Sequence, residues 1–85
     1  MEDEKRKSMY VAKFSSSYRL ILQEGADDAW DGMVDGPCPA RDQRISISGL
    51  EEAKHALYEF ADKHFSLRGI VEPRIPKHQI RWDSN

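Results

Sequence analysis

Ser48-Gly49-Leu50-Glu51-Glu52-Ala53-Lys54-His55-Ala56-Leu57-Tyr58-Glu59-Phe60-Ala61-Asp62-Lys63-His64-Phe65 decides the fold. Leu50, Ala53, Leu57, Phe60, Ala61 and His64 recur at threes and fours, with Ala56 at the margin, and so line one face of a helix. Glu51, Glu52, Lys54, Glu59, Asp62 and Lys63 fill most of the other face. Ser48 and Glu51 stand three apart, the spacing at which a serine and a glutamate can exchange hydrogen bonds with each other's backbone amides as a capping box. Acids in the first turn and Lys63-His64 in the last suit the helix dipole. The spacing predicts a helix from about Leu50 to about Phe65, with Gly69 as the stop.

Upstream of it, Arg44-Ile45-Ser46-Ile47-Ser48 alternates polar and apolar residues, as a half-buried strand does. Near the start, Met9-Tyr10-Val11-Ala12-Lys13-Phe14 and Tyr18-Arg19-Leu20-Ile21-Leu22-Gln23 have the β-branched and aromatic content of strands. Ser15-Ser16-Ser17 joins them as a hairpin turn. Tyr18, Leu20 and Leu22 share one face, which sends Val11 and Ile21 to the other.

Between residues 24 and 43, Gly25, Gly32, Gly36, Pro37 and Pro39 interrupt any strand pattern, so a loop is expected there. A turn or two of helix fits inside it, capped by Asp27, with Ala26, Ala29, Trp30, Met33 and Val34 aligned. After Gly69, Ile70-Val71-Glu72 is expected as a short strand. Pro73 and Pro76 then confine the chain to an edge or an arm, and Gln79-Ile80-Arg81-Trp82 makes a last edge strand.

The element order is β-β-loop-β-α with a further β after it. This predicts an α+β fold: a small antiparallel sheet of three or four strands with one amphipathic helix packed on one face. Residues 1–8 are expected to fray as a charged arm. Residues 9–72 form the single domain, and 73–85 an extended, proline-containing arm or edge strand.

Composition agrees with this scale. The chain has 85 residues, 39% apolar and 33% charged, and Leu, Ile, Val and Phe number only 17. That leaves room for one small domain and none for two domains, a TIM barrel or a nucleotide-binding α/β sheet. A core this small is marginal alone, so a homodimer or docking onto a larger partner is expected. No window approaches 18 apolar residues, so no membrane is expected. The six mostly apolar residues after the charged N-terminus are too few for a secretory signal, and Cys38 has no second cysteine to pair with. A cytoplasmic protein is expected.

No cofactor or metal is expected either. His55 and His64 fall on opposite helix faces, His78 is remote, and Asp28-Ala29-Trp30-Asp31-Gly32 lacks the alternating acids of a calcium loop. Ser15, Ser16, Ser17 and Cys38 lack the neighbours that activate a nucleophile, and nothing separates the pKa values of Asp27, Asp28 and Asp31 in a solvated loop. No glycine-rich phosphate cradle leads into the helix. An enzyme is therefore the least favoured class.

Charge layout says more than net charge, which is only −2. Glu24, Asp27, Asp28, Asp31 and Asp35 occur without a Lys or Arg among them, whereas Lys63, Arg68, Arg74, Lys77 and Arg81 meet one acid, Glu72. The first expectation is a non-enzymatic protein-binding module. Its acidic loop, with Glu24, Asp27, Asp28, Trp30, Asp31, Met33 and Asp35, would contact a basic partner surface. Where that surface binds nucleic acid, the module would act as an inhibitor, as accessory proteins of mobile elements do. The alternative is nucleic-acid binding through Arg68, Arg74, Lys77, Arg81 and Trp82, against which an isoelectric point near 5.9 weighs. In the plainer account of the same residues, Trp30 fills a core and the bases pair with acids of their own chain.

Overall fold

The computed structural model describes residues 8–25, 29–37 and 40–84, with backbone only for 40–46. Five strands and one helix follow in order: β1 (Met9–Lys13), β2 (Arg19–Glu24), β3 (Ala29–Asp35), β4 (Ala40–Ser48), α1 (Leu50–Arg68) and β5 (Trp82–Ser84), with a 3₁₀ turn at Lys77–Gln79. The sheet order is β4-β3-β2-β1-β5, antiparallel at every pairing. The first four strands form a meander. The helix then crosses back over one face, and the C-terminal segment carries β5 to the far edge beside β1. The fold is thus α+β, with an open sheet and one helix packed on it.

The core lies between them. Ala12, Phe14, Tyr18, Leu20, Leu22, Trp30 and Val34 meet Ala53, Leu57, Ala61 and Phe65, which sit one above another at four-residue steps on α1. The Phe65 ring stands edge-on to Phe14 and Tyr18, at centroid distances of 5.0 and 4.9 Å. Burial of each such side chain contributes about 1.5–3 kcal/mol.

Several expectations change. Residues 29–35, assigned to a loop with a short helix, form strand β3. Its core-facing residues are Trp30, Gly32 and Val34, and the glycine is there for space. A Cβ at Gly32 would lie 3.0 Å from Leu57 Cδ1 and 3.3 Å from Leu22 Cδ2. The sheet therefore has five strands rather than three or four.

The capping box does not form. Ser48 is held in β4 opposite Ala29, and α1 starts from Gly49, whose φ of 92° suits only glycine, with no side-chain cap. The helix also runs three residues past Phe65. Gly69, at φ 67°, closes it with paired bonds from its own amide to Ser66 and from Ile70 to Phe65.

Ile70-Val71-Glu72 forms no strand. Instead residues 70–81 make a strap across α1, in which the Ile75 amide donates to the Phe14 carbonyl at 2.8 Å and the Tyr58 hydroxyl to the Ile75 carbonyl at 2.9 Å. The last strand begins at Trp82 rather than Gln79, because Pro76 leads into the 3₁₀ turn first.

Candidate functional site

The helix covers one face of the sheet only. On the other, Val11, Ile21 and Met33 stand side by side across β1, β2 and β3, with Asp83 of β5 completing the row at the edge. The three apolar side chains are half-buried by their sheet neighbours, and no described element packs over them. Polar rows flank them. One holds Gln23 and Asp31 beside Met9, and the other Lys13, Arg19 and Asp35. The exposed Arg19 guanidinium donates to Asp35 at 2.9 Å. An apolar centre within a polar rim is the layout of a protein interface.

The acidic residues named from the sequence therefore separate. Asp31, Met33 and Asp35 share the uncovered face. Trp30 points the other way, only 8% exposed, edge-on to Tyr10 at 5.6 Å. Glu24 accepts the Ser8 amide at 3.1 Å and is engaged within the sheet. Asp27, Asp28 and Cys38 lie outside the described residues. The strict alternation of β3 explains this division, since neighbouring residues of a strand face opposite sides.

The basic residues separate too. Arg74 forms an ion pair with Asp62 and stacks over Phe65, with its guanidinium carbon 5.2 Å from the ring centroid. Arg68 and Arg81 are exposed at the helix end and in the strap. Lys77 and Trp82 alone of this set meet, in an open groove of 380 Å³ between α1 and the strap. There they join Lys54, His55 and Tyr58, which the sequence analysis did not single out as a site. The i, i+3, i+4 spacing of Glu51, Lys54 and His55 placed them together on the helix. Only the path of the strap shows what they face.

Lys77 Nζ donates to Glu59 at 2.6 Å and lies 2.9 Å from His55 Nδ1. That hydrogen bond and the charge behind it hold the Glu59 carboxyl below the usual carboxylate range. The Tyr58 hydroxyl is pushed up from its ordinary value, chiefly by burial and then by Asp62. Elsewhere on the strap, Glu72 accepts from the Ser15 hydroxyl and the Ser17 amide, and these bonds lower its pKa, that to Ser15 most. A carboxylate held in that way is an anchor and a poor general base.

Among the described residues, no group of three His, Cys, Asp or Glu side chains could hold a metal ion, and no helix is long and apolar enough to cross a membrane. No family model matches the chain, and no curated protein or solved structure is similar enough to it to show a relationship.

Proposed function

We propose that the chain is a non-enzymatic protein-binding module, acting in the cytoplasm, that docks its uncovered sheet face onto a basic surface of a larger partner. The observation that carries this is the row Val11, Ile21 and Met33, half-buried and uncovered, bordered by Asp31, Asp83 and the Arg19–Asp35 ion pair, with Lys13 beside that pair. Apolar side chains at the centre supply the area removed from water, and the carboxylates steer a cationic partner. Covering a partner's nucleic-acid site in this way would make the module an inhibitor. Trp30 then serves the interface indirectly, by holding β3 flat against α1.

Affinity recovery from nuclease-treated lysate of the source cells, with an Asp31→Lys/Met33→Lys variant beside the parent chain, tests this. Both positions face outward, so the variant should keep its circular dichroism spectrum. The expected result is one protein with a basic surface, retained by the parent chain and lost by the variant. Equal retention by the variant would overturn the proposal, and so would a second copy of the chain as the sole partner.

The alternative, nucleic-acid binding, draws support from the meeting of Lys77 and Trp82 at one groove. It requires affinity that falls steeply with salt, and loss of binding in Lys77→Gln. The ion pair that engages Arg74 with Asp62 within the chain weighs against it.

A further inference from the structure

The groove between α1 and the strap lies on the helix side of the sheet, away from the docking face. Two ammonium groups reach it from different elements. Lys54 Nζ, from the second turn of α1, stands 5.4 Å from the Tyr10 ring centroid and 5.9 Å from that of Trp82. Lys77 Nζ, from the strap, stands 5.6 Å from the Tyr58 ring centroid, beside His55. Ile80, Tyr58 and Trp82 supply apolar wall, and the volume of 380 Å³ falls near the small end of the roughly 300–1,000 Å³ typical of small-molecule sites.

Lys54 is more enclosed than most surface lysines. Its side chain is only 23% exposed, while Glu51, its counter-ion, is 85% exposed and 3.5 Å away. An ammonium drawn out of water needs close partners, and two aromatic rings offset only part of that cost. Glu51 lines the groove and Glu59 holds Lys77 from beyond its lining; at 85% and 57% exposure both carboxylates can turn to water. An anion entering the groove would take their place on both lysines. Two ammonium groups suit a ligand of about two negative charges, which a phosphate monoester carries at pH 7 and a single carboxylate does not.

We propose that this groove binds a phosphate joined to a planar ring, the chemistry of a mononucleotide. The phosphate sits between Lys54 and Lys77, with the ring against Ile80, Tyr58 and Trp82. The same chemistry could be presented by a free mononucleotide or by the end of a single strand, and the ligand series below separates the two.

Amide chemical-shift titrations of the full chain with adenosine 5′-monophosphate, adenosine, inorganic phosphate and a short 5′-phosphorylated oligothymidylate test the proposal. The monophosphate should move the Lys54, Tyr58 and Trp82 amides, with adenosine and inorganic phosphate each about tenfold weaker. Lys54→Gln should weaken the monophosphate about tenfold. Glu51→Gln should tighten it about threefold by removing a competing charge, an effect that a purely structural groove would not show. An oligothymidylate that binds more tightly than the monophosphate, at the same amides, would support the site and identify a strand end as its ligand. The proposal is overturned if the monophosphate moves none of these amides, if inorganic phosphate binds as well as the monophosphate, or if Glu51→Gln weakens binding.

Discussion

Ser15 and Glu72 lie 57 positions apart in the chain and are joined by a 2.5 Å hydrogen bond from the serine Oγ to Oε1 of the glutamate. The same oxygen accepts the Ser17 amide at 3.1 Å. One carboxylate thus ties the strap to the first hairpin turn and leads the chain back to β1, where β5 pairs. Glu72→Gln, which keeps the shape and removes the charge, should speed hydrogen exchange at the Ile75 amide and in β5 while leaving β2 and β3 protected. Unchanged exchange at Ile75 would show that the strap is held by other contacts.

Acid should act on the same strap. Glu72 and Glu59 are both held below the usual carboxylate range, the first by Ser15 and Ser17 and the second by Lys77. For a carboxylate lowered by folding, the stabilisation is complete above the unfolded pKa and is lost as pH falls through the folded one. Melting temperature should therefore fall as pH drops through and below the usual carboxylate range, and a Glu59→Gln/Glu72→Gln variant should show a flatter profile there. Parallel profiles would place the acid sensitivity elsewhere.

Trp30 and Met33 are three residues apart in β3 and face opposite sides. Trp30→Ala opens a hole beneath Tyr10 and should cost about 3–5 kcal/mol in urea unfolding. Met33→Ala, on the uncovered face, should cost less than about 1 kcal/mol. Similar losses at both positions would contradict the assignment of faces.

Gly36 tests the packing at the end of β3. A Cβ there would run into the Tyr18 ring and lie 2.8 Å from the Ser17 carbonyl oxygen. Gly36→Ala should destabilise the chain by about 1–3 kcal/mol, the range for overfilling a packed site. A neutral effect in denaturant unfolding would mean that the first hairpin turn yields freely.

These positions also show what the sequence made legible. The α1 stripe and Gly69 were plain, because a helix repeats its pattern over several turns and its stop needs a special backbone angle. The β1–β2 hairpin was plain because Tyr18, Leu20 and Leu22 alternate without a break. Strand β3 was not. Ala29, Trp30, Met33 and Val34 fit helical spacing as well as they fit alternation, and Gly32 looked like a breaker. Its reason, the approach of Leu57 and Leu22, belongs to tertiary packing and leaves no local trace. Ser48 misled for a similar reason, since strand pairing with Ala29 overrides its capping tendency. Of the sites, the outward turn of Val11 and Ile21 was legible from alternation. The groove was not, because it depends on where a strap with two prolines crosses α1.

The most direct test of the docking face is site-specific photocrosslinking in the source cells. A photoreactive residue at Met33, in the centre of the uncovered face, is compared with one at Lys63, exposed on α1. The account predicts a discrete crosslink to one protein of basic surface from position 33 and none from position 63. Crosslinking to that partner from position 63 alone would place the interface on the helix and contradict it.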